Sequence, residues 1–157
     1  MVFEAIGRQF SKDVRVEVIE PRGGAFNRWD RELHVCARVT ALRDVTFSRV
    51  RIRLVREHHY SSSDSKGRSE SKVDRRTLGE KTFTGLHLKR GQSDEFETTI
   101  YYDYRRSDPE VRFRDGGISG FFGRMGLRGD LRYHLEFHFD TERWFGTKHR
   151  QKLIPVT

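Results

Sequence analysis

The stretch LRYHLEFHFD, residues 131 to 140, places Leu131, Tyr133, Leu135, Phe137 and Phe139 at every second position, with Arg132, His134, Glu136 and His138 between them. Successive side chains of a β-strand point to opposite faces, so this period of two predicts a strand with one apolar and one polar face. The beat recurs along the chain. Val14, Val16 and Val18 alternate with Arg15 and Glu17, and Leu33, Val35, Ala37 and Val39 alternate with His34, Cys36 and Arg38. Val50, Ile52 and Leu54 alternate with Arg49, Arg51 and Arg53, and Phe96, Thr98, Ile100 and Tyr102 keep the same phase. KTFTGLHL and the closing HRQKLIPVT, with Ile154 and Val156 in phase, add weaker strands. A 3.6-residue apolar repeat is confined to the first ten residues, where Phe3, Ile6 and Phe10 fit a short helix or a packed arm.

About seven to eight strands with little helix predict an all-β fold, a two-sheet antiparallel β-sandwich of arrestin-like or immunoglobulin-like kind. A chain of 157 residues fits one domain, 1–157, able to bury roughly two thirds of its unfolded surface. Turn chemistry falls at Pro21-Arg22-Gly23-Gly24, at Lys89-Arg90-Gly91 and at Ser107-Asp108-Pro109. Two connections stand out. Residues 61–72, SSSDSKGRSESK, are purely polar and read as a flexible hairpin loop; residues 116–130 form a glycine-rich apolar loop.

That second loop contains GISGFFGRMGLRG, with glycine at every third position. Four triplets without proline are too few for a collagen strand, and the segment leads into a strand, where a phosphate cradle needs a helix. Phe121, Phe122, Met125 and Leu127, flanked by Arg124 and Arg128, suit a cap on one end of the sandwich, a contact with a partner or second copy, or an insertion into a membrane surface.

Net charge is +8, and arginine supplies 24 of the 31 cations, which favours anionic partners. Arg49, Arg51 and Arg53 would project from one face at intervals of about 7 Å, and guanidinium groups bind phosphate and carboxylate in two-pronged fashion. Such a stripe either binds an anion, nucleic acid or acidic lipid, or pairs with carboxylates on a neighbouring strand, for instance Glu95 and Glu97.

Other chemistries find little support. No nucleophile elbow, zinc-protease, Walker or dinucleotide pattern occurs, so no catalytic residue is assigned and a non-enzymatic protein is expected. His134 and His138 would lie about 13 Å apart along an extended strand, too far to share an ion; no metal or cofactor is expected. Cys36, the single cysteine, precludes an intramolecular disulfide, and a neighbouring arginine could activate its thiol. A lone cysteine, Glu4 and Arg8 where a signal peptide's apolar core would lie, and the lack of any run of roughly 20 apolar residues suggest a cytoplasmic protein.

The order of these segments resembles the amino-terminal lobe of arrestins. RELHVCARVTALRDVTFSRVRIRLVREHHY, a variable polar excursion, TFTGLHLKRGQSDEFETTIYY, a loop, and GDLRYHLEFHFDTERWFGTKHRQKLIPV match the family's succession, covering residues 13 to 156. Gly129, Tyr133, Leu135 and Phe137 match the strand that opens the end of that lobe. Arrestins and their bacterial sporulation-control and retromer-subunit relatives generally carry two such lobes, whereas this chain accommodates one. The resemblance implies the sandwich fold and a scaffold or protein-interaction role, with self-association as one form of it. It transfers no site residue.

Overall fold

The computed structural model describes residues 12–63, 65–114, 129–141 and 148–156, and these form two β-sheets packed face to face. The strands are β1 (Val14–Glu20), β2 (Ala25–Phe26), β3 (Glu32–Ala41), β4 (Val45–Ser63), β5 (Ser69–Leu88), β6 (Ser93–Tyr101), β7 (Gly129–Asp140) and β8 (Lys148–Pro155). One sheet has the order β1-β3-β6 and the other β2-β8-β7-β4-β5. Every pairing is antiparallel except that of the two-residue β2, which lies parallel to β8 through Ala25 and Phe26.

The alternation read from the sequence is what builds the core. Leu33, Val35, Ala37 and Val39 of β3 are buried against Val50, Ile52 and Leu54 of β4 and Tyr133, Leu135, Phe137 and Phe139 of β7. At roughly 25 cal/mol per Å², burial of such side chains is the main stabilising term. Rings join the layers: Phe83 of β5 meets Phe96 of β6 edge-on with centroids 5.1 Å apart, and Phe26 lies between Tyr133 (5.1 Å) and Tyr102 (5.7 Å).

Three features depart from the sequence reading. The polar segment 61–72 is not a loop along its length, because β4 runs to Ser63 and β5 starts at Ser69. Pairing from His58↔Asp74 to Ser63↔Ser69 makes a two-stranded ribbon. Ile154 and Val156 do not face the core: both are more than half exposed, and Leu153 is the buried residue of β8. Lastly, Pro109–Arg114, read as part of a connection, forms a short helix, α1. Asp108 precedes it and its backbone carbonyl accepts from the N–H groups of Val111 and Arg112, with proline at the first helical position, where no N–H is needed.

β4 also changes chemistry along one face. After Val50, Ile52 and Leu54 the same phase continues through Arg56, His58 and Tyr60, so the inner face becomes polar. Arg56 and His58 are nevertheless buried. The segment 108–110 lies over Arg56, with the side chains of Asp108 and Glu110 bonded to it. Opposite Leu54 and Val55 the register slips by one, and β5 gains the extra residue Leu78, itself buried. Next to it, Gly79 passes so close to β6 that a Cβ there would sit 2.6 Å from both the Ile100 Cγ2 and the Tyr101 carbonyl oxygen.

Candidate functional site

The arginine stripe lies where its phase predicts, on the outer face of the five-stranded sheet, and its guanidinium groups are engaged. Arg49 and Arg51 both reach Asp140 of β7, at 3.1 and 2.9 Å, and Arg53 binds Glu80 of β5 at 2.5 Å. Glu95 and Glu97 are not the partners. They belong to β6 in the other sheet, where Glu95 accepts from Arg38 at 2.8 Å and Glu97 lies 3.1 Å from His34.

Further along the same outer face the ion pairs thicken. Glu136 has no exposed side-chain surface and is enclosed by Arg75, by His138 at 3.2 Å, by Arg150 at 3.4 Å and by Lys148 at 3.5 Å. Burial pushes its carboxyl up, but the His138 hydrogen bond and the Lys148, Arg75 and Arg150 charges outweigh burial and hold it down at about 2. Glu57 is held below the usual carboxylate range in the same way: Arg150 and His59 bond to it and outweigh its desolvation. Burial, with Arg150 nearby, lowers His134 despite the neighbouring Glu57 and Glu136. This part of the face is a lattice of mutually neutralised charges on β4, β5, β7 and β8.

A second polar assembly sits inside the molecule, where β4 turns polar. Arg56 is 2% exposed, and its Nη1 donates to Glu110 Oε2 at 2.7 Å and to Asp108 Oδ1 at 3.3 Å. Glu110 Oε1 accepts from the Tyr133 hydroxyl at 3.0 Å, and Asp108 Oδ2 accepts from Arg76 and from the Arg105 backbone N–H at 2.6 Å. Burial raises Asp108, but Arg76, the Arg105 N–H and Arg56 more than compensate and leave its carboxyl lowered. Burial and the Glu110 charge push the Tyr133 hydroxyl far up, so it stays a donor. This network clamps α1 onto the inner faces of β4 and β7.

Beside the clamp opens a pocket of about 470 Å³, lined by Arg56, Tyr60, Asp74, Arg76, Arg105 and Arg112 among others. The side chains of Arg105 and Arg112 are exposed and have no ion-pair partner among the described residues. Sequence reasoning passed over this assembly. The available signals were a charged residue in core phase after Leu54, and an Asp-Pro-Glu start of a helix too short to show a helical repeat.

The remaining expectations fall elsewhere. Arg124, Arg128, Phe121, Phe122, Met125 and Leu127 lie outside the described residues, as do Phe3, Ile6 and Phe10. Cys36 points to the outer face of β3, and its thiol is pushed up, by burial first and then by Glu95, Glu97 and Glu20. Activation by Arg38 is therefore overturned, since three carboxylates surround the thiol. Among the described residues no three His, Cys, Asp or Glu side chains are grouped as metal ligands, and no helix is long and apolar enough to cross a membrane.

No protein-family model matches the chain, and no curated protein matches it. Among solved structures it is similar to Spo0M, a sporulation control protein from Bacillus subtilis, with a TM-score of 0.57 and 11% identity over 92% of this chain. It is more distantly similar, at a TM-score of 0.36 and 14% identity over 87% of this chain and 89% of the other, to the ligand-binding region of serine-glutamate repeat protein A from Enterococcus faecium. The chain spans about half, 49%, of the Spo0M chain. With eight strands among the described residues, in sheets of three and five, and this likeness over most of its length, the chain has an arrestin-like β-sandwich fold.

Proposed function

We propose that this lobe is a non-enzymatic, cytoplasmic protein-interaction module, a scaffold element that receives an extended, acidic segment of another protein along strand β5. One observation carries the reading. β5 is 20 residues long, stands at the end of its sheet, and among the described residues is paired on one side only, with β4. The free side offers main-chain N–H and C=O groups to a further strand, the mode of recognition in which backbone bonds give affinity and flanking side chains give selectivity. Lys72 and Lys81, which have no ion-pair partner among the described residues, add basic side chains to this strand, and Val73 is 57% exposed beside Lys72. The charges discourage indiscriminate edge-to-edge pairing and favour an acidic segment over a second copy of this basic chain. The lone cysteine agrees with a reducing compartment.

The test compares the full chain with its Lys72→Glu/Val73→Glu variant in capture from native extract, with light scattering on each purified species. The reading expects a partner retained by the native chain and lost by the variant, with both free proteins monomeric. A native chain that self-associates through β5 would replace the partner by a second copy. A partner held equally by both proteins would remove β5 from the interface.

A further inference from the structure

We propose that the arginine-lined pocket beside α1 is a binding site for a phosphate group, carried as inorganic phosphate or as a phosphate monoester. The stripe that first suggests anion binding is occupied, Arg49 and Arg51 by Asp140 and Arg53 by Glu80. The guanidinium groups of Arg105 and Arg112, by contrast, line a concave space and have no ion-pair partner among the described residues. At the pocket's inner end Arg56, 2% exposed, has both carboxylate contacts on Nη1, while its Nε is buried with no hydrogen-bond acceptor. A buried charged donor without an acceptor is costly, and an anion entering the pocket would supply one.

Charge and shape select the ligand class. The carboxylate oxygens of Asp108 and Glu110 are used by Arg56, Arg76, Tyr133 and the Arg105 N–H, and Arg75 is drawn to Glu136 and Glu57 on the outer face. That leaves Arg105 and Arg112 against the single carboxylate of Asp74, with the Ser107 hydroxyl beside them. Donors therefore approach from α1, from the segment before it and from β4. A tetrahedral dianion, with oxygens in several directions, can accept from all three, whereas a planar carboxylate presents two oxygens in one plane. Asp74, Arg75 and Arg76 of β5 line the pocket as well, but phosphate binding is read on the lone chain through Arg105 and Arg112, so its failure is distinguishable from loss of a protein partner at the β5 edge.

The experiment titrates the full chain, in low-chloride buffer, with inorganic phosphate and with glycerol phosphate by calorimetry, using sodium chloride at matched ionic strength as the blank. Arg105→Gln/Arg112→Gln removes two exposed guanidinium groups that have no ion-pair partner among the described residues. Arg15→Gln/Arg90→Gln removes the same charge from β1 and a distant turn. The proposal expects saturable one-site binding, weakened at least tenfold or so by the first pair, since each charge-assisted bond is worth about that factor, and changed less than about threefold by the second. Tighter binding of glycerol phosphate marks a phosphorylated ligand as the natural source; tighter binding of inorganic phosphate marks the free ion. Absence of saturable binding, or equal weakening by both pairs, overturns the site and leaves only a diffuse effect of net charge.

Discussion

Replacing Arg56 by methionine probes the clamp that docks α1 on the sandwich. The side chain is 2% exposed and Glu110 is essentially inaccessible, so the 2.7 Å pair between them is shielded from solvent, with Asp108 3.3 Å away. Methionine fills much of the same volume but leaves Glu110 with only the Tyr133 hydroxyl, while Asp108 keeps Arg76 and the Arg105 N–H. Removing one member of a buried ion pair costs about 3–5 kcal/mol, because the other charge stays desolvated. For a domain of this size that corresponds to a fall in Tm of roughly 10 °C. The double variant Arg56→Met/Glu110→Met removes the stranded charge and is expected to recover about 2 kcal/mol relative to the sum of the single changes. Denaturant unfolding of the four proteins measures the cycle. A loss below about 1 kcal/mol for Arg56→Met, or strict additivity of the two changes, would refute the view that this pair holds the helix in place.

The outer-face carboxylate and the close approach of β5 to β6 each give a further outcome. Glu136 is depressed to about 2 in the folded protein, so its contribution is present above its unfolded value of about 4.3 and is lost as pH falls from there towards 2. Stability measured between pH 6 and 2.5 should drop by about 2 kcal/mol through this group, a drop that Glu136→Gln flattens; equal acid limbs would count against the outer-face lattice. Gly79→Ala should destabilise by about 2 kcal/mol, because the new Cβ meets the backbone carbonyl of Tyr101, which cannot move aside cheaply. An unchanged melting temperature would show that β5 and β6 have room to separate.

The strands and their inward faces were legible because their signal is local. Tyr133 to Phe139 and Leu33 to Val39 announce both the strand and its buried side within a few residues, and all these inward positions are buried. What neighbours an outward side chain is not local. Asp140 and Glu80 meet the stripe from β7 and β5, whereas Glu95 and Glu97, equally well phased in sequence, belong to the opposite sheet. The ribbon at 61–72 is hidden in the sequence because a two-stranded extension bears no apolar alternation, and residues 69–75 are exposed on both sides of the strand. Helix α1 has six residues, fewer than two turns, so no 3.6-residue period could develop. Arg56 looks like the end of an apolar run, and only the fold brings Asp108 and Glu110, more than fifty residues later, over it.

The central claim, that a partner adds a strand to β5, is tested most directly by hydrogen exchange of the lobe alone and in complex with the protein it captures. Strand addition predicts slowed exchange at alternate backbone amides between Ser69 and Leu88, those turned away from β4, with β1 and β3 unchanged. A footprint on the β1-β3-β6 sheet, with β5 amides exchanging as fast as in the free lobe, would contradict it.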